Sequence, residues 1–282
     1  MLPPHPFDRS GLAARSDLET AEWRAVFERL ERRQADFLAR EREFRSPEYA
    51  WPRDPLHTWS RCWEYPYAYH QVRTLREGWT APRPPRVLDL GSGVTFFPFA
   101  VAALGVDVLC IDPDPLCERD LSRAVPVVEH APGHVEARGS DGVRIPLADA
   151  TMDAVLCVSV LEHVPDFPVT VAEIARVLAS GGLFVLTVDL ELGSGDKLPP
   201  DRYQILRDRL SRDFDLAHPE TTLHPRDVLR STEGRYPLSP PRGRRLLEHL
   251  LRQRIAAPLR GRRPAPGRER LAVAAFTLRR RG

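Results

Sequence analysis

RVLDLGSGVTFF, residues 86–97, reads as a short apolar strand, Val87 to Leu90, that runs into a glycine turn and then a helix. Asp89 sits near the end of the strand, and Gly91 and Gly93 make the turn. A turn of this kind lets backbone approach a ligand closely, because glycine lacks a Cβ and accepts positive φ. A strand, a glycine turn and a helix in that order are the opening of an α/β unit.

Downstream of this stretch strands and helices alternate. A helix is predicted from about Thr95 to Leu104, with Pro98 in its first turn and Gly105 closing it. VDVLCID, 106–112, is a second strand, and an edge strand is expected near HVEARGSD, 134–141. MDAVLCVSV, 152–160, is an almost unbroken apolar run, the pattern of a strand buried on both faces of a parallel sheet. A helix over 167–179 and the strand GGLFVLTVDL, 181–190, follow. Beyond 192 helices are expected near 200–213 and 242–257, with a last strand at 270–280. The prediction is a doubly wound, mostly parallel, seven-stranded Rossmann-like sheet with helices on both faces.

Upstream, residues 16–41 show helical spacing of Trp23, Val26, Phe27, Leu30, Phe37 and Leu38, with Ser16 and Glu19 as a capping box. Residues 47–79 pack tryptophans and tyrosines among prolines, and Pro66 is expected to start a second short helix. APRPPR, 81–86, reads as a linker. This divides the chain into an N-terminal helical, aromatic-rich cap over 1–80 and a main domain over 81–282.

The 282 residues are 42% hydrophobic, enough for a sizeable core. No apolar run is long enough to span a bilayer, and the first residues lack an apolar signal region, so a cytoplasmic protein is expected. Cys62, Cys110, Cys117 and Cys157 form no CxxC pair and read as core residues, so no metal is expected. His130 and His134 alone are weak support for a metal site. Residues 242–282 hold 13 arginines against two acids, but the chain has a single lysine, so arginine bias is general and nucleic-acid binding is not expected.

In such sheets the ligand sits beyond the carboxyl ends of the strands, beside the first one. A dinucleotide fingerprint wants a third glycine where this chain has Phe96, and a P-loop wants a lysine that is absent. Asp89 would repel pyrophosphate and suit a cation. Asp112, at the end of the second strand and 19 residues after Gly93, is placed to accept from ribose hydroxyls. A ribose, a cation and no phosphate describe S-adenosylmethionine (SAM).

VLDLGSG, IDPD, DGVRIPLADATMDAVLCVSVLEHV and EIARVLASGGLFVLTV, in this order over residues 86–190, resemble successive motifs of the class I SAM-dependent methyltransferases. The likeness is to the methyltransferase-type-11 branch typified by ubiquinone/menaquinone-biosynthesis enzymes. It implies that Asp89, Gly91, Ser92 and Gly93 line the methionine part of SAM and that Asp112 holds the ribose, with Pro113 against the adenine. Asp141 would accept from the adenine amino group, Gly142 would meet the ring edge, and Ser159 or Val160 would present backbone near the methionine ammonium. Thr95 departs from the pattern, which often has a third small residue there. Asp141–Gly142 is also an ordinary turn pair, and Asp112 could cap a helix.

Methyl transfer needs positioning and exclusion of water, and a base only when the acceptor must lose a proton. His163 lies where an acceptor should approach; its alternative role is a structural bond to backbone. His57, Trp63, Tyr65, Tyr67 and His70 are the candidate substrate contacts, as a lid over the cofactor mouth or as plain packing. The expected activity is methyl transfer to a small molecule, in specialised-metabolite or sugar biosynthesis. The alternatives are an RNA or protein methyltransferase guided by the arginine-rich region and an inactive partner protein with the same fold.

Overall fold

A computed structural model describes residues 5–192, 198–238 and 271–282. Strand β1 (Ser10–Leu12) precedes helices α1 (Ala21–Ala39) and α2 (Arg61–Glu77). The alternating region comprises β2 (Arg86–Leu90), α3 (Phe97–Ala102), β3 (Asp107–Asp112), α4 (Pro115–Ala124) and β4 (His134–Gly139). It continues with β5 (Met152–Val158), α5 (Phe167–Val177), β6 (Leu178–Glu191) and α6 (Pro200–Asp213). Strands β7 (Phe214–Leu216), β8 (Glu220–Thr221) and β9 (Leu271–Arg280) complete the sheet.

The strand order is β4-β3-β2-β5-β6-β9-β1-β8, with β7 also on β9. Strands β2 to β6 pair in parallel, and β9 runs antiparallel to β6. The order reverses at β2, which puts the glycine turn at the switch point. Alternate residues of each strand face opposite layers. Val87, Val108 and Val185 join a core with α1 to α4, while Leu88, Leu109 and Phe184 join one with α5 and α6. Helices therefore cover both faces, as the apolar runs predict.

The sheet has nine strands among the described residues, where seven were expected. Strands β1, β7 and β8 are only two or three residues long and show no local periodicity. They exist because β9 leaves an edge that needs backbone partners, and both β1 and β7 pair with it. Aromatic residues of the N-terminal segment, Phe7, Trp63 and Tyr67 among them, share one core cluster with the strand residues Val87 and Val185.

Three local expectations shift. Ser16–Glu19 is a 3-10 turn, and α1 is instead capped by Thr20, whose Oγ1 accepts from the Trp23 amide at 3.1 Å. Helix α2 begins at Arg61 with Pro66 inside it, because another residue supplies the hydrogen bond the proline cannot make. Strand β6 begins at Leu178, paired with Met152 across a register shift. The helix expected at 242–257 lies outside the described residues, as does most of the arginine-rich region.

Candidate active site

The turn after β2 is tight by construction. Gly91 has φ +72°, and a Cβ there would meet Val160 Cγ2 at 2.5 Å. Gly93 has φ +55°, and its Cβ would meet the Tyr49 hydroxyl at 2.9 Å. The same hydroxyl accepts from the Val94 amide at 3.0 Å, so a residue from the N-terminal segment fastens the turn. The Gly93 amide donates to Asp112 Oδ2 at 3.0 Å, and the Asp114 amide donates to Oδ1 at 2.9 Å. Asp112 is thus held rigidly at the end of β3, and each oxygen keeps a further lone pair for a ligand hydroxyl.

Asp89 is 5% exposed. Burial, then the neighbouring Asp112, raise its pKa to about 7, and Arg61 works in the opposite direction. A buried carboxylate next to a second one is stabilised by a cationic ligand and destabilised by an anionic one. Ser92 is buried in the turn, and Pro113 directly follows β3, where Gly142 comes against it: a Cβ on Gly142 would sit 3.3 Å from Pro113 Cβ. Asp141 is exposed and its Oδ1 accepts from the Val143 and Arg144 amides, both at 2.9 Å. Those two bonds, Arg144 first, hold the Asp141 carboxyl below its ordinary pKa. The Asp141 carboxylate therefore stabilises its own turn.

Ser159 is one of two non-glycine residues at positive φ among the described residues, at +50°. Its Oγ donates to Glu64 Oε1 at 2.7 Å, which ties the end of β5 to α2. Val160 closes on Gly91. His163 is exposed at the end of a 3-10 turn, Leu161–His163, with its ring 6.2 Å from that of Trp51. Its amide donates to Val160 O at 2.9 Å.

Of the aromatic-segment candidates, Tyr65 comes to the turn: it stacks on Phe97 at 4.3 Å and lies edge-on to Phe96. The others are engaged elsewhere. Trp63 Nε1 donates to Asp17 and Tyr67 meets Thr277, both at 2.7 Å. His57 lies between Asp54 and Glu31, and His70 bonds Asp8 at 2.8 Å. His5, Asp8 and His70 offer ligand atoms within 4.8 Å of one another. However, the two imidazoles stack at 3.7 Å with an 8° tilt, so their lone pairs cannot converge on one ion.

Helix α2 brings residues to the site that local sequence patterns do not mark. Arg61 pairs with the fully buried Glu64, and its charge also acts on Asp89 and Glu162. Burial opposes the Arg61 charge, and Glu64, Tyr65 and Asp189 outweigh it, so its pKa rises. Glu162, 4% exposed, accepts from the Asp189 amide at 3.2 Å. Glu162 stands in the LEHV motif beside His163, but only the fold shows that it points inward and His163 outward.

Fold and turn agree with a class I SAM-dependent methyltransferase domain in the region that carries the motifs, which implies SAM as its cofactor. Residues 88–186 match the methyltransferase domain family. An uncharacterized methyltransferase of Mycobacterium sp. (strain JLS) is 37% identical over 114 residues, 40% of this chain and 42% of that protein. One from Mycobacterium ulcerans (strain Agy99) is 38% identical over 120 residues, 41% and 45% of the two chains. The chain thus spans less than half the length of these relatives. The crystal structure of the [4+2]-cyclase SpnF aligns over 97% of this chain and 99% of its own, with a TM-score of 0.52 and 16% identity. Among the described residues no helix is long and apolar enough to cross a membrane.

Proposed function

We propose that the protein transfers a methyl group from SAM to a small-molecule acceptor. The observation that carries this reading is the joined geometry of Gly91, Gly93 and Asp112: a cradle without Cβ atoms, fastened to a rigid carboxylate at the next strand end. The cradle accommodates the methionine part of SAM, Asp112 accepts from the ribose, and Pro113 with Gly142 flanks the adenine. SAM supplies a methyl group already activated by its sulfonium. Tyr65, Phe96 and Phe97 keep the floor of the site apolar and Tyr49 holds the turn closed.

The fold alone does not set the chemistry, since a protein of this fold is named a cyclase. The test is therefore calorimetric titration with SAM and with its demethylated product, with NADH as control, on the protein and on Asp112→Ala. Binding of the first two that collapses in the variant supports the reading. Absence of both removes it.

A further inference from the structure

Carboxylates are rarely buried without partners. Here five are buried at the carboxyl ends of the strands and under α2: Glu64, Asp89 and Glu162, at 0%, 5% and 4% exposure, with Asp189 and Glu191 at the end of β6. One guanidinium, Arg61, lies among them in the described residues and is paired with Glu64. Asp89 stands at the turn, where it serves the cationic end of SAM. Glu162 has its Oε1 held by the Asp189 amide, and its Oε2 is buried with no hydrogen-bond partner among the described residues. A buried carboxylate oxygen without a donor is destabilising, so a ligand that donates to it is favoured.

The place of Glu162 decides which ligand. It follows β5 directly after Ser159 and Val160, the residues against the glycine turn, and is bonded to β6 on its other side. It therefore borders the site on the side away from the ribose carboxylate Asp112. We infer that the acceptor is a cationic amine and that Glu162 receives its proton. This rests on the methyltransferase reading.

The step balances as follows. The ammonium gives one proton to Glu162 Oε2 and becomes a neutral amine. The nitrogen lone pair forms the N–C bond as the C–S bond breaks, and that bond's electron pair stays on sulfur. The product is the methylated ammonium, and the proton on Glu162 returns to water. The groups facing Glu162 support this: burial, with Glu64 on α2 adding to it, raises its pKa to about 7, while its own amide, Arg61 and the Asp189 amide lower it. Cys157 lies behind it, its thiol kept neutral by burial and by Glu162 itself. A carboxylate poised near neutrality is matched to proton transfer from an amine.

The test begins with calorimetry to establish SAM binding. Benzylamine, tryptamine and spermidine are then assayed with radiolabelled SAM against benzyl alcohol, p-cresol and benzoate. Label confined to the amines is expected. Glu162→Gln should lower kcat by ~10²–10⁴-fold at unchanged Kd for SAM and remove the acidic limb of the pH profile. Glu162→Asp, which keeps the charge, should retain part of the rate and guards against a folding defect in the first variant. Label on the oxygen acceptors alone, label on none of the six while SAM binds, or an unchanged kcat in Glu162→Gln overturns this inference and leaves the cofactor reading standing. Failure to bind SAM overturns both.

Discussion

The indole Nε1 of Trp23 donates to the backbone carbonyl of Cys62 at 2.8 Å, and both residues are buried. Cys62 is four residues before Pro66, so its carbonyl is the one whose helical partner the proline lacks. A tryptophan from α1 thus completes the backbone bonding of α2 and allows the helix to run through its proline. Trp23→Phe keeps most of the apolar contact and strands the carbonyl, which should cost about 1–3 kcal/mol. Pro66→Ala restores a local donor. In the double variant the cost of Trp23→Phe should shrink, and chemical denaturation of the four proteins measures that coupling. Additive losses would show that the indole matters only as bulk.

Gly91 predicts a local and reparable loss. Gly91→Ala places a Cβ 2.5 Å from Val160 Cγ2 at a backbone φ of +72°. Two penalties combine, a steric one and a conformational one of about 1–2 kcal/mol. Affinity for SAM should fall at least tenfold. Adding Val160→Ala removes the clash but not the strained φ, so it should recover part of the affinity. Full recovery would mean that conformation contributes nothing at this turn; no recovery would mean that the clash is relieved elsewhere.

Asp89 makes cofactor binding depend on pH. Its pKa in the free protein is raised to about 7, chiefly by burial and then by Asp112. A bound cation favours the carboxylate and lowers that value. Below pH 7, then, binding must expel a proton, and affinity should weaken by up to about tenfold for each pH unit of descent. Above pH 7 it should level off. Calorimetry at pH 6 in two buffers of different ionisation enthalpy reads the released proton directly. Asp89→Asn should bind weakly and without that proton release.

The alternating region was legible because each of its elements announces itself locally. The run from Met152 to Val158 is buried at every position, and α5 follows within a few residues of its expected start. The glycine turn and Asp112 were legible for the same reason, since a tight turn restricts residue choice at that point. Tyr49, Arg61 and Glu64 were not. They lie outside the motif region and reach the site through tertiary packing, Tyr49 from the segment before α2 and Arg61 and Glu64 on α2 itself, a relation no local spacing encodes. Asp141 shows the converse, as its motif position is right while its carboxylate is spent on the Val143 and Arg144 amides. Trp63, Tyr67 and His70 resemble a binding segment in sequence because aromatic side chains with polar ends serve buried hydrogen bonds equally well.

His70 gives the N-terminal segment an acid-sensitive attachment. Its Nε2 bonds Asp8 at 2.8 Å and its Nδ1 accepts from Arg73 at 3.1 Å, while His5 stacks on its ring. His218 approaches Asp8 from the other side at 4.0 Å. Burial is the largest influence on His70, and its pKa falls to about 4 despite the nearby Asp8. The folded state therefore holds a neutral imidazole. Its contribution is complete above the unfolded value of about 6.5 and is lost as pH falls from there towards 4. At most about 3 kcal/mol is involved, and less where water reaches the exposed side of Asp8. His70→Gln keeps a donor for Asp8 and cannot titrate. Melting temperatures taken between pH 7.5 and 4.5 should fall more steeply for the protein than for this variant, and parallel curves would show that other groups govern its acid sensitivity.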